Sequence, residues 1–340
     1  MNNDDYLDDF FGPEEDENLE SIPFSDNSST DNKKIDNSFS ILRNYSEELT
    51  SKKYITNPAI AREEEIKKMI LILLSPEKSC VLTGKAGIGK TSIVEGLSYR
   101  IQNHDVPNAL ANTKIYKINT SALLGKYEHD GIEESKLQLL INEIIGKKDI
   151  ILFIDEIHTL VTSARNGGGV DFLNMLKPGL DRGDIKIVGA TTTQEFNEFL
   201  LKDKAFLRRF EKVEVEEPDQ ATTVKILMGT TKKIEVTTGV KFPYSEWVLQ
   251  KVCEFIVNMT SQYKRIYENG SRYPDVSLSL LSKCFTFAKF ENSPTCNFKH
   301  IYEAIKNTNL VYDDVIKKEL PIFKERFNEF LEKEGVNVEI

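Results

Sequence analysis

Gly84-Lys85-Ala86-Gly87-Ile88-Gly89-Lys90-Thr91 follows the apolar run Cys80-Val81-Leu82 and precedes Ile93, Val94, Leu97 and Ile101, which fall on one face of a helix. The loop is a complete GxxxxGK[ST] between a strand and a helix, the setting in which backbone N–H groups wrap phosphates at a positive helix terminus. Its residue types assign the remaining roles. All eight positions are candidate nucleotide-binding residues, Lys90 reaches toward β- and γ-phosphates, and the Thr91 hydroxyl ligates Mg²⁺. ATP and Mg²⁺ are therefore the expected cofactors.

Downstream, Ile150-Ile151-Leu152-Phe153-Ile154 reads as a buried strand that ends in Asp155-Glu156. A carboxylate at a strand end can complete the Mg²⁺ shell, so Thr91 and Asp155 are the candidate metal ligands. The next one, Glu156, can orient and deprotonate an attacking water. Further strand-like runs at 115–118, 185–188 and 213–215 alternate with helical periodicity, the pattern of a parallel sheet covered by helices. After Pro218 only helical spacing remains: Trp247, Val248, Val252, Phe255 and Ile256, then Leu278, Leu280, Leu281 and Phe285. A last helix is expected with Pro321 in its first turn, Phe323, Phe327, Phe330 and Leu331 on one face, and Gly335 as its stop.

The 340 residues carry a formal net charge of −10. Residues 1–40 hold twelve acids against two bases, so the other 300 residues hold 42 of each. An electroneutral body excludes the overall basic character that drives non-specific nucleic-acid binding, and direct nucleic-acid binding is not expected. The acidic start is not a secretory or transit peptide. The longest aliphatic run, 70–74, falls far short of the roughly 18 residues of a membrane span. Four scattered cysteines and four histidines show no metal-ligand spacing, so a soluble, cytoplasmic protein without membrane partners is expected. The domain reading is an acidic disordered tail over 1–50, an ATPase body over 51–217, a helical lid over 218–300 and a helical extension over 301–340.

From Asn57 to about Lys289 the chain resembles the first ATPase module of the Clp-type AAA+ unfoldases and disaggregases. The strings that carry the resemblance, besides the phosphate loop, are 57–66 (NPAIAREEEI), 93–97 (IVEGL), 153–159 (FIDEIHT), 174–178 (NMLKP) and 189–192 (GATT). The resemblance implies a P-loop AAA+ αβα sandwich with a five-stranded parallel sheet, followed by a helical lid. It implies ATP hydrolysis in a self-assembled ring, a hexamer by family expectation, that remodels or unfolds protein by pore threading.

Residue by residue, the resemblance places Ala59 and Ile60 on the adenine side and makes Thr192 a sensor that positions the lytic water. Arg208 and Arg209 become the pair that reaches a neighbouring subunit's γ-phosphate. Lys126 and Tyr127 become a pore loop that grips polypeptide, and 165–169 (RNGGG) a second pore loop. Without the family, Thr192 reads as a turn-capping threonine, the arginines as a solvated face and Tyr127 as a surface tyrosine. The chain departs from the pattern at 128–132, where the pore-loop spacing differs, and at Val276, where a lysine is usual. It shows no coiled-coil middle domain, second phosphate loop or peptidase-docking tripeptide, so peptidase coupling is not expected. An alternative reading is an AAA+ ATPase switch in replication or transcription that acts on a DNA-bound partner. There, 4–11 (DDYLDDFF) would serve as a sliding-clamp-binding peptide.

Overall fold

The computed structural model describes residues 40–123, 125–129, 132–165, 172–266 and 272–335. The acidic stretch up to 39, with its candidate clamp peptide, and 166–169 of the candidate second pore loop lie outside the described residues. The strands are β1 (Ser46–Glu48), β2 (Ser79–Thr83), β3 (Lys114–Ile118), β4 (Lys126–His129), β5 (Ile132–Ser135), β6 (Ile150–Ile154), β7 (Lys186–Thr191) and β8 (Phe210–Glu214). All but β4 and β5 form one sheet in the order β1-β3-β6-β7-β2-β8. From β3 to β8 the neighbours run parallel. Every residue of β2 and β6 is buried, as expected for strands covered on both faces.

The sheet is larger than the five parallel strands expected from sequence. A sixth strand, β1, runs antiparallel along β3, with Ser46 opposite Ile118 and Glu48 opposite Tyr116. This also corrects the reading of 1–50 as a disordered tail. Residues 41–49 bring Ile41, Leu42 and Leu49 into the core. Glu143 accepts hydrogen bonds from the Ser40 hydroxyl at 2.6 Å and the Leu42 N–H at 3.1 Å. Averaging composition over fifty residues hides a short apolar segment whose polar ends find partners a hundred residues away.

The body carries helices α1 (Ile41–Tyr45), α2 (Glu63–Leu74), α3 (Lys90–Gln102), α4 (Thr120–Leu123), α5 (Lys136–Ile144), α6 (His158–Arg165), α7 (Phe172–Asp181), α8 (Thr193–Glu195) and α9 (Lys204–Arg209). The lid follows as α10 (Gln220–Thr238), α11 (Glu246–Met259), α12 (Asp275–Phe290), α13 (Phe298–Lys306), α14 (Asp313–Arg326) and α15 (Asn328–Lys333). Asp219 opens the lid by accepting the Thr222 N–H at 2.7 Å, an N-cap that directly follows Pro218 and starts α10.

The lid core absorbs the expected extension. Phe323, Phe327 and Leu331 are buried with Phe255, Phe285 and Phe298 in one cluster. Phe323 meets Phe255 edge-on at 5.2 Å, and Phe327 lies 5.0 Å from Phe298. A boundary at 300 would cut α13 in two, so residues up to 335 belong to the lid. Two local readings also change. Pro321 sits inside α14 rather than in a first turn, and Trp247 points outward, 64% exposed. Gly335 follows the last helix with φ +67, the left-handed geometry of a helix stop. Among the described residues no helix is long and apolar enough to cross a membrane.

Candidate active site

Strands β6, β7 and β2 are consecutive neighbours running the same way, so their C-terminal ends open onto one edge. Ligands of open parallel sheets bind at that edge. It brings together the phosphate loop after β2, Asp155 and Glu156 after β6, and Thr192 after β7, which are far apart in sequence.

Gly89 is the N-cap of α3 with φ +97, a backbone geometry that admits a side chain only with strain. It turns the loop so that the helix starts at Lys90. The Lys90 ammonium donates to the carbonyls of Gly84 at 2.9 Å and Lys85 at 3.0 Å. Burial pushes its pKa below the usual lysine range, and the carboxylates of Glu156, Asp155 and Glu195 pull against that shift. Thr91 donates its hydroxyl hydrogen to Asp155 Oδ2 at 3.1 Å, while Lys117 of β3 pairs with the same oxygen at 3.3 Å. A hydroxyl and a carboxylate side by side at a phosphate loop are hard oxygen donors of the kind Mg²⁺ prefers, so these residues fit the ion.

Glu156 adopts φ +53, a left-handed conformation that costs a glutamate about 1 kcal/mol or more. Thr159 clamps the strained residue by donating both its N–H and its hydroxyl to the Glu156 carbonyl, each at 2.9 Å. Burial raises the Glu156 pKa, helped by the carboxylates of Glu195 and Asp155 and opposed by His158 and Lys90. A carboxyl shifted upward toward neutrality is suited to accept a proton from water. Nearby, Glu156, His158 and Glu195 bring one ligand atom each within 4.8 Å of one another. Glu195 Oε2 is already occupied by three hydrogen bonds from Thr191 and Thr192, so the Thr91–Asp155 pair is the better cation site.

Thr192 sits at the end of β7, where the family resemblance puts a sensor, and it is also a capping threonine. Its hydroxyl oxygen accepts the Glu195 N–H at 3.1 Å, and Glu195 answers on the Thr192 backbone, a reciprocal capping box that starts α8. The two arginines at the end of α9 differ. Arg209 is held by Asp181 through two contacts of 2.6 Å. Arg208 is exposed, and its guanidinium makes no ion pair among the described residues. Lys126 and Tyr127 lie on β4 of a separate two-stranded hairpin, Tyr127 opposite Glu134 and Lys126 opposite Ser135. The pore-loop candidates are therefore presented on a hairpin outside the main sheet.

On the other wall, Ala59 is buried, and a Cβ on Gly229 of α10 would come within 2.3 Å of Ile60. Body and lid thus meet around Ile60, in the segment expected on the adenine side. A Cβ on Gly87 would approach the Cβ of Asp275, the first residue of α12, to 3.1 Å. The lid therefore also borders the phosphate loop.

Several residues of this site escape sequence reasoning. Arg62 donates to the carbonyls of Ile88 at 2.8 Å and Glu216 at 3.1 Å, tying the entry segment to the phosphate loop and to the exit of β8. Glu217 accepts from Arg265 at 2.8 Å and from the Tyr273 N–H at 2.9 Å, which fastens the lid to the body. No local pattern marks these long-range partners. Glu195 does carry a signal, because Thr192-Thr193-Gln194-Glu195 is a T-x-x-E string, the sequence form of a capping box.

Residues 80–217 match the family described as ATPase family associated with various cellular activities (AAA). The chain is 39% identical over 228 residues to the chaperone protein ClpB of Aquifex aeolicus, an alignment covering 67% of this chain and 22% of that protein. It is 38% identical over 255 residues to ClpB of Prochlorococcus marinus, covering 74% of this chain and 28% of the relative. The chain thus spans about a quarter of the length of these relatives. Among solved structures it resembles the extended conformation of the S. cerevisiae Hsp104:casein complex, with TM-score 0.63 and 34% identity, over 75% of this chain and 43% of the other.

Proposed function

We propose that this chain, which belongs to the Clp-type AAA+ family through its ATPase module, binds ATP between body and lid and hydrolyses it to remodel protein substrates. The observation that carries the reading is the convergence of Lys90, Thr91, Asp155 and Glu156 on one sheet edge. Thr91 and Asp155 hold Mg²⁺, which, when bound, neutralises charge on the β- and γ-phosphates. Lys90 exchanges the carbonyls of Gly84 and Lys85 for phosphate oxygens, and the loop N–H groups cradle the rest. Glu156 orients the lytic water and takes its proton, with Thr192 as second partner of that water.

Arg208 and Arg209 complete the site of a neighbouring copy, so turnover depends on ring assembly, with a hexamer as the assembly proposed. The Hsp104 structure that this chain resembles is a complex with casein, and a polypeptide is the substrate class proposed here. In the ring, Lys126 and Tyr127 line the pore, where an aromatic offers contact to any sequence. Glu156→Gln should bind ATP and lose hydrolysis, as read by steady-state phosphate release. A variant as fast as wild type would refute the catalytic assignment. Tyr127→Ala should keep ATPase and lose unfolding of a fluorescent test protein; full unfolding by that variant would sink the threading step.

A further inference from the structure

We propose that His158 and Glu195 form a positioning relay that holds the Glu156 carboxylate and the Thr192 hydroxyl in a fixed relation to each other. The inference rests on the ATPase reading above and concerns the same site. Glu195 Oε2 accepts from the Thr192 hydroxyl at 2.8 Å, the Thr192 N–H at 3.0 Å and the Thr191 hydroxyl at 3.1 Å. With its hydrogen given to Glu195, the Thr191 oxygen is left to accept from His158 Nδ1, 2.9 Å away. The network therefore assigns the imidazole hydrogen to Nδ1.

That N–H edge faces both carboxylates, 3.2 Å from Glu195 Oε2 and 3.4 Å from Glu156 Oε2. Phe199 stacks against the imidazole at 6.2 Å with the planes 20° apart, which fixes the plane of the ring. The main chain of Glu156 is clamped independently by Thr159. The candidate base thus has its backbone held by Thr159 of α6 and one carboxylate oxygen 3.4 Å from an imidazole nitrogen that Thr191 of β7 and Glu195 of α8 keep in place. Thr191 is fully buried, so the anchor point is rigid.

A capping glutamate alone would need no histidine. Here the cap of α8 extends to Glu156, the chain from the sensor threonine to the base running through Glu195 Oε2 and then His158 Nδ1. Rates of positioned reactions are sensitive to such alignment, and a misplacement of about 1 Å costs up to roughly 10²-fold.

The test uses the full chain and separates the hydrogen at Nδ1 from the bulk of the ring. His158→Ala should lower kcat by about 10- to 100-fold while KM for ATP and the affinity for a fluorescent ATP analogue stay near wild type. In His158→Asn the amide N–H stands near the place of Nδ1–H and should restore most of the rate. His158→Gln carries its amide where Nε2 lies and should not. The relay is overturned if His158→Ala turns over like wild type, or if all three variants fall together with a loss of melting temperature. Glu156→Gln is measured alongside. A wild type no faster than that variant overturns the ATPase reading and the relay with it, whereas a faster wild type matched by His158→Ala overturns the relay alone.

Discussion

Between Lys90 and Glu195 the sheet edge crowds a buried ammonium and three carboxylates, one of them on a left-handed glutamate. In the lid, Phe255, Phe298, Phe323 and Phe327 pack with neighbouring rings 4.9–6.3 Å apart. The edge keeps charge and backbone strain where a reaction would use them, at a cost in local stability. The lid has the opposite composition, apolar area and edge-to-face rings, and it supplies stability to the helical segment that borders the phosphate loop. Glu217 and Gly229 join the two regions, Glu217 through Arg265 and the Tyr273 N–H, Gly229 through its close approach to Ile60. Substitutions at the edge should then show in turnover and those in the lid in melting.

After the loss of hydrolysis expected for Glu156→Gln, the largest effect on turnover is expected at Arg208. Arg208→Ala in an assembled ring should lower ATP turnover by about 10³-fold, the lower end for a lost arginine finger, with nucleotide affinity and melting temperature unchanged. Arg209→Ala should also slow turnover, since it too is placed in the neighbour's site, and it should disturb α9 as well. Because Arg209 is bonded to Asp181 and to the Ala205 carbonyl, that variant carries a drop in melting temperature as well. If Arg208→Ala lost stability rather than rate, the division between edge and core would break at this point.

Phe323→Ala is the converse. The ring is fully buried among Phe255, Phe298 and Phe327, so its removal should cost about 3–5 kcal/mol in chemical denaturation. Measured well below its melting point, the same variant should retain far more turnover than Arg208→Ala. A lid variant that unfolded normally yet lost hydrolysis would show that the aromatic core positions the site directly.

The two regions are also unequally legible in the sequence. The edge is written in contiguous motifs, because phosphate and metal chemistry demand particular residue types next to one another, and 84–91 and 155–156 stand out without coordinates. What joins the motifs is not contiguous. Arg62 finds Ile88 and Glu216, Lys117 finds Asp155, and His158 finds Thr191 only through the strand order. The lid is written in periodicity alone, which locates helices but not their ends or neighbours. Hence helical spacing puts Trp247 on a buried face although it points outward, and it draws a domain boundary at 300, inside α13, although the helices on either side share one core. The segment 40–51 is the least legible, since three apolar side chains among acids have no period to betray them.

The smallest expected effect tests whether the lid is as free of titrating chemistry as its aromatic core suggests. His300 of α13 is fully buried, and its Nδ1 accepts the Asn297 N–H at 2.9 Å, closing a capping box. Burial holds its pKa below the usual histidine range, reinforced by Lys299 and opposed by Glu291, whose carboxylate lies 3.4 Å from Nε2, and by Glu334. The folded lid therefore prefers neutral imidazole, and below about pH 6.5 the unfolded chain binds the extra proton more readily. The stability contributed by His300 is complete above that pH and is lost as the pH falls through the depressed folded value, where protonation also takes away the acceptor of the cap. His300→Gln keeps an acceptor at the third position of the helix, as capping boxes commonly do, and does not titrate. Denaturation curves from pH 8 to pH 5 should find the two proteins closest at pH 8, with wild type falling away from His300→Gln as the solution is acidified. Parallel curves over that range would mean that Glu291 compensates the buried ring in full and that the lid holds no acid-sensitive group at this cap.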